Sequence, residues 1–184
     1  MALEERGQNE TERIERENIR IARLAGQAFN SGDVNKVHEF ISPDYINRVS
    51  QGMAGADNIS NLPNDLTDII KYRSGLKGPE EFIDTIKSLR NAFADLHYEE
   101  QEMIASKDKV ITFVTVSGKY VGNFFGIPRT GRNFTYEAMH MFRISGGKIV
   151  EHRAIRDDLS FMMQLGPVSP TFQEYEPLFQ AWKG

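Results

Sequence analysis

Cysteine is absent from the 184-residue chain, and so are long apolar and long basic runs. Without cysteine, the chain forms no disulfide, binds no zinc through thiolates and has no thiol nucleophile. No apolar run approaches the roughly 18 residues that a membrane-spanning helix requires. The net charge is −4 and positive charge is nowhere concentrated, unlike a nucleic-acid-binding surface. We therefore expect no nucleic-acid partner and no membrane partner.

The start of the chain is acidic and polar. The opening MALEERGQNETERIEREN lacks the basic start and apolar core of a secretory signal, so we expect a soluble, cytoplasmic protein. A length of 184 residues predicts one domain, large enough to enclose a pocket for a small molecule.

Helix patterns dominate the first half of the chain and strand patterns the second. We predict a flexible segment over residues 1–10, followed by a helix that Thr11 caps and that runs to about Asn30. A further helix is predicted to start at Pro79, since proline is favoured in the first helical turn. Strand patterns follow at 98–105, 110–121, 133–144 and 148–155. Helices followed by neighbouring strands indicate an α+β fold.

Two stretches stand apart from this pattern. Residues 47–78 are rich in glycine and predict a long loop or insertion within a domain spanning 11–166. The tail, 167–184, carries four aromatic residues, Phe172, Tyr175, Phe179 and Trp182. A disordered tail rarely contains so many aromatic residues, so we expect the tail to pack on the domain or on a partner subunit.

The last strand combines charged and apolar residues on one predicted face. Strict alternation places Glu151, Arg153 and Asp157 together with Ile149 and Ile155. Charged residues are rarely buried unless they are paired or used, so this face predicts a pocket wall with a few polar groups. The alternative is a solvated face that carries an ordinary ladder of surface charges.

His140 lies among apolar residues of the preceding strand. It is either a packed histidine or a residue that the hairpin brings beside the last strand. The four histidines show no HxH or HExxH spacing, and neither a phosphate-binding glycine loop nor a GxSxG motif occurs. We therefore predict no metal site and no cofactor, which favours proton transfer over redox or phosphoryl chemistry.

Several motifs together resemble the SnoaL-like polyketide cyclase family. They are SPDYIN at 42–47, GNFFGIPRTGR at 122–132, GKIVEH at 147–152, and QLG at 164–166 preceded by Asp157. The resemblance covers about residues 19–166. It implies a cone in which a strongly curved antiparallel sheet wraps around N-terminal helices and encloses an apolar pocket. It also implies a homo-oligomer, a dimer or a tetramer, that acts on a hydrophobic small molecule.

The resemblance also implies roles for individual residues. Asp157, favoured over Asp158 by its spacing to QLG, would be the acid/base of an aldol closure of a polyketide ester, with His140 as second catalytic residue. A carboxylate that an apolar pocket desolvates becomes a stronger base, and positioning of the reacting carbons lowers the barrier further. The predicted substrate-binding residues, of which Glu151 and Arg153 rest on strand alternation, are Asn47, Phe124, Tyr136, Phe142, Glu151 and Arg153.

Arg153 is a departure from the family pattern, which usually has tryptophan at that position. An inward Arg153 would pair with Asp157 and weaken it as a base, or would bind an anionic substrate or a developing oxyanion. Two alternatives to a cyclase therefore stand: a cofactor-free hydroxylase of the same fold, and a non-catalytic binding module.

Overall fold

The computed structural model describes residues 2–48, 76–122, 124 and 129–166. Most of the predicted insertion and the whole aromatic tail lie outside these residues. The described elements, in chain order, are α1 (Ala2–Ser31), α2 (Val37–Phe40), β1 (Ile41–Asn47), α3 (Gly78–Ala92), β2 (Phe93–Ser106), β3 (Lys109–Tyr120), β4 (Asn133–Ser145), β5 (Lys148–Arg156) and α4 (Asp158–Leu165).

The five strands form one sheet in the order β1-β5-β4-β3-β2. Strands β2 to β5 pair antiparallel, whereas β1 pairs parallel with β5. The predicted α+β cone is thus confirmed, but the expectation of a purely antiparallel sheet was wrong at one edge. A parallel neighbour requires a long connection, and α3 with the chain around it separates β1 from the other strands.

Helix α1 starts earlier than the sequence predicted. It begins at Ala2, and the Thr11 hydroxyl donates to the Gly7 carbonyl inside the helix, so the predicted cap at Thr11 was wrong. Two glutamate–arginine ion pairs between residues three positions apart stabilise the polar first half of the helix. They are Glu10–Arg13 and Glu17–Arg20. The second half buries one face, formed by Ile21, Ala22, Ala25 and Ala28.

Helix α3 follows its sequence signals. It begins at Gly78 with Pro79 in its first turn, as predicted from the proline. Phe82 is buried and packs edge-on against the rings of Phe29, Phe40 and Tyr45, with ring centroids 5.3–6.0 Å apart. These ring contacts join α1, α2, α3 and β1 into one apolar cluster. No helix in the described ranges is long and apolar enough to cross a membrane.

Asn30, near the end of α1, fastens this helix to β2. Its Oδ1 accepts a hydrogen bond from the Tyr98 amide at 2.7 Å, and its Nδ2 donates to the Tyr98 carbonyl at 3.0 Å. One side chain thereby satisfies both backbone groups of Tyr98. The pair of bonds fixes Tyr98 on the inner face of the sheet.

We predict that Asn30→Ala lowers the free energy of unfolding by about 1–3 kcal/mol, because both backbone groups of Tyr98 lose their partner. Denaturant unfolding measures this loss. The control is Asn35→Ala, at an exposed asparagine just after the same helix, which should change stability by less than about 0.5 kcal/mol. Equal losses of unfolding free energy in the two variants would contradict a stabilising role of the two hydrogen bonds between Asn30 and the Tyr98 backbone.

Candidate functional site

A β-bulge in β5 determines which side chains face the interior. Arg143 pairs with Glu151, but the next residue of β4, Ile144, pairs with Ile149. Val150 is therefore an extra residue without an opposite partner, and the alternation of side chains shifts by one position. Ile149 is fully buried, whereas Ile155 is 78% exposed, although strict alternation would place both on the same face.

The bulge moves the predicted charged face to the outside of the sheet. Arg153 is mostly exposed, and its Nε donates to Glu151 Oε1 at 2.8 Å. The prediction that Arg153 and Asp157 share a pocket wall was therefore wrong. The inward residues of β5 after the bulge are His152, Ala154 and Arg156.

Glu151 is the centre of an outer cluster of charges. Its carboxylate lies 3.4 Å from Arg48 Nε, 3.5 Å from Arg143 Nε and 2.8 Å from Arg153 Nε. The hydrogen bond from Arg153, aided by the charges of Arg143 and Arg48, lowers the pKa of this carboxyl group. The cluster joins the end of β1 to β4 and β5. Glu151 was predicted to contact the substrate, but it does not line the cavities that the described residues form.

Asp157 caps helix α4. Its Oδ1 accepts a hydrogen bond from the Ser160 amide at 3.0 Å, and its own amide donates to the Glu137 carbonyl. Hydrogen bonds from Ser160 lower the pKa of this exposed carboxyl group, which makes it a weaker base. Asp157 does not line the cavities that the described residues form. Its catalytic role stays a prediction that the capping geometry does not favour.

The main cavity lies between the inner face of the sheet and helices α1, α3 and α4, and has a volume of about 380 Å³. Its wall is mostly apolar, with Phe93, Phe134 and Phe161 among its rings. Of the residues predicted from sequence, it brings together Asn47, Phe124, Tyr136 and His140. Phe142 lines a smaller neighbouring chamber instead. Five polar residues on the main wall were missed: Thr85, Tyr98, His152, Arg156 and Asp158.

A chain of hydrogen bonds crosses the cavity wall. Asn47 Oδ1 lies 3.3 Å from His152 Nδ1, and His152 Nε2 lies 2.9 Å from His140 Nδ1. With the Asn47 oxygen as acceptor, His152 donates from Nδ1 and His140 donates from its own Nδ1. In this arrangement His140 Nε2 carries a lone pair and can accept a hydrogen bond. If the Asn47 amide is flipped so that its nitrogen faces His152, the donor and acceptor of every hydrogen bond exchange roles, and His140 Nε2 carries a proton instead. His140 Nε2 is buried and has no hydrogen-bond partner among the described residues.

The two imidazoles are neutral at pH 7. Burial, aided by the positive charge of Arg156, lowers the pKa of His140 to about 4. Burial is the main reason that the pKa of His152 lies well below its usual value, and the electrostatic effects of His140 and Arg156 lower this pKa as well. Burial also raises the pKa of Tyr136 to about 12. These three side chains therefore offer neutral hydrogen-bonding groups to a molecule in the cavity.

Arg156 and Asp158 form an ion pair on the wall of the main cavity. Arg156 Nε lies 3.0 Å from Asp158 Oδ1, and Arg156 Nη2 donates to Asp158 Oδ2 at 3.3 Å. The Asp158 side chain is 58% exposed and that of Arg156 34%, so the pair lies where the cavity opens to solvent. Among the described residues, no group of three His, Cys, Asp or Glu side chains could hold a metal ion.

The described residues form an α+β cone with a mostly apolar cavity, buried neutral imidazoles and a carboxylate on the wall, which is the architecture of a small pocket enzyme. The model of the SnoaL-like polyketide cyclase family matches residues 67–165. The chain belongs to this family, and the polyketide cyclase function predicted from the sequence motifs is confirmed. The alternative of a non-catalytic module is thereby set aside.

Curated relatives match over nearly their full length. The chain is 33% identical over 160 residues to aklanonic acid methyl ester cyclase DnrD of Streptomyces peucetius, covering 86% of this chain and 97% of the relative. It is 30% identical over 151 residues to nogalonic acid methyl ester cyclase of Streptomyces nogalater, covering 82% and 98%. Among solved structures, TsrD from Streptomyces laurentii superposes with a TM-score of 0.64 at 22% identity, covering 83% of this chain and 96% of TsrD, which shows the shared fold.

We predict that stability falls as the pH decreases from about 6.5 toward 4. In this window the unfolded state binds a proton at His140 that the folded state does not, so each pH unit costs about 1.4 kcal/mol for this ring. Above pH 6.5 this contribution is complete. Unfolding curves at several pH values should show a steeper dependence for the natural chain than for His140→Phe. An NMR titration in which the His140 ring gains its proton near pH 6.5 would contradict the prediction.

Proposed function

We propose that this chain closes a ring in a polyketide methyl ester by an acid/base aldol reaction in the main cavity, without a cofactor. The observation that carries the proposal is the Arg156–Asp158 pair on the wall of a mostly apolar cavity that also presents the neutral His140. Two of the relatives bear the names of cyclases for methyl esters of this kind. Their substrates are therefore the first compounds to test.

The substrate itself provides most of the required reactivity. A C–H bond beside conjugated carbonyl groups is acidic, because the enolate formed on deprotonation spreads its charge over the carbonyl oxygens. Asp158 accepts this proton, and the enolate carbon then attacks a second carbonyl carbon of the same molecule to form the new C–C bond. The resulting alkoxide takes the proton back from Asp158, so the product is an isomer of the substrate.

Arg156 has a distinct role in this scheme. Its guanidinium already contacts Asp158 and can donate a second hydrogen bond to the oxygen on which enolate charge develops. Hydrogen-bond donors that are fixed before the reaction stabilise such charge without reorganising. The role that the sequence assigned to Arg153 thus passes to Arg156.

His140 positions the substrate in this proposal. It is neutral, and Asn47 through His152 determines whether its Nε2 accepts or donates a hydrogen bond. The aromatic side chains Phe93, Phe134 and Phe161 provide flat apolar surface for a conjugated ring system. Together these groups hold the two reacting carbons close to each other.

We also propose that the chain is a cytoplasmic homo-oligomer. Supporting this, the outer face of the sheet exposes apolar side chains on four adjacent strands, namely Ile104, Ile111, Met139 and Ile155. An exposed apolar patch commonly marks an interface. Sedimentation of the natural chain and of an Ile155→Lys variant measures the oligomeric state.

We predict that Asp158→Asn lowers kcat at least about 100-fold, because the transferred proton loses its acceptor. The matched control is Asp157→Asn, which should lower stability through the weakened helix cap and change kcat less than about threefold. Turnover of aklanonic acid methyl ester, followed by mass spectrometry, provides the rates. The opposite ranking of the two variants would restore Asp157 as the base, and a product that gains an oxygen atom would indicate a hydroxylase.

We predict a similar contrast between two arginines of β5. Arg156→Gln should lower kcat by about 100-fold or more, since a donor to the developing oxyanion is lost. Arg153→Gln, on the outer face, should leave kcat/KM unchanged. Comparable losses in both variants would contradict the placement of the two side chains.

A further inference from the structure

A second, smaller chamber lies beside the main cavity. Its volume is about 150 Å³, and it shares four wall residues with the main cavity, Phe29, Tyr98, His140 and His152. Arg23 and Glu100 line it on the solvent side, where their side chains pair at 2.7 Å and remain partly exposed. The reaction proposed above uses His140 on the shared wall but assigns no part of the substrate to the space inside this chamber.

Two buried polar atoms on the chamber wall lack partners. Thr112 Oγ1 and His140 Nε2 are both buried and make no hydrogen bond within the part of the chain that the structure describes. Thr112 and His140 lie directly opposite each other on β3 and β4, and both residues line the chamber. A buried polar group without a partner destabilises the fold, so two of them on adjacent strands indicate a ligand that completes their hydrogen bonds.

Gly26 keeps space open in the same chamber. It lies near the C-terminal end of α1 and lines the chamber, and a Cβ added there would meet no atom within 4 Å. At Gly122, by contrast, a Cβ would overlap with the Asn91 carbonyl, so packing explains that glycine. Glycine inside a helix is less stable than alanine. Since packing does not require Gly26, its effect is the free volume that it leaves.

We propose that the chamber is a binding subsite for one small neutral group that carries a single hydroxyl or carbonyl oxygen. The oxygen hydrogen-bonds to Thr112 Oγ1 and His140 Nε2, and the carbon part fills the space beside Gly26. A hydroxyl group fits both proton arrangements of His140, because it donates and accepts. An apolar cavity of about 150 Å³ holds a single benzene-sized ring.

The chamber wall excludes a charged ligand. Most of its surface is apolar, including Met103, Val114 and Phe142, and an ion would lose its hydration there without a fixed counter-charge. Arg23 and Glu100 already neutralise each other at the solvent side. The subsite therefore selects a neutral group with one hydrogen-bonding oxygen.

Binding of phenol and of benzene to the natural chain tests the subsite. NMR signals of Thr112 and His140 report the two affinities. We expect phenol to bind at least about fivefold more tightly than benzene, because only phenol completes the two hydrogen bonds. Thr112→Val should abolish this difference and raise Tm, since it removes an unpartnered hydroxyl, whereas Thr112→Ser should retain the difference.

Filling the chamber provides a second test. Gly26→Leu places a side chain in the free volume and should weaken phenol binding at least tenfold. The matched control is Gly7→Leu, at an exposed glycine of the same helix, which should leave phenol binding unchanged. Equal affinities of phenol and benzene for the natural chain, or phenol binding that Gly26→Leu does not affect, would overturn the proposal.

The phenol measurements do not depend on the proposed cyclase reaction, so the two proposals can fail separately. Turnover of aklanonic acid methyl ester then distinguishes the source of the bound group. If Gly26→Leu lowers kcat/KM at least tenfold, the group is a substituent of the substrate. If Gly26→Leu loses phenol binding but retains kcat/KM, the subsite takes a separate small molecule.

Discussion

One extra residue in the last strand determines which side chains reach the interior of this protein. Because Val150 has no partner on β4, the chain after it presents His152 and Arg156 to the cavity and Glu151 to the outside. Contacts on both faces hold this arrangement: three arginines surround the Glu151 carboxylate, and His152 bonds to Asn47 and His140. The bulge thereby determines the polar part of the site.

The interior combines groups that stay neutral with one ion pair at its edge. Burial keeps His140 and His152 uncharged, so in the proposed reaction a neutral imidazole would orient the carbonyl compound without competing with Asp158 for the proton. The charged pair of Arg156 and Asp158 retains contact with solvent, which avoids the large cost of burying charge in an apolar interior. The proposed reaction thus uses different parts of one wall for binding and for proton transfer.

Local sequence signals predicted the features that local forces determine. Pro79 marked the start of α3, and the combined motifs identified the cone and placed Asn47, Tyr136 and His140 on its cavity. The bulge at Val150 was not predictable from alternation, because strict alternation assumes that no residue is inserted, and the pairing of β5 with the distant β1 is not visible in the local pattern. The parallel pairing of β1 with β5 was missed because these two strands lie far apart in the sequence.

The inward side chains of β5 can be identified directly, because the natural chain has no cysteine and single cysteines can be introduced one at a time. Variants with cysteine at positions 153 to 158 would be labelled with a thiol reagent, with and without aklanonic acid methyl ester. We expect the ester to protect positions 154, 156 and 158 and to leave 153, 155 and 157 reactive. Protection of 153, 155 and 157 instead would show that β5 continues without the bulge and would contradict this account.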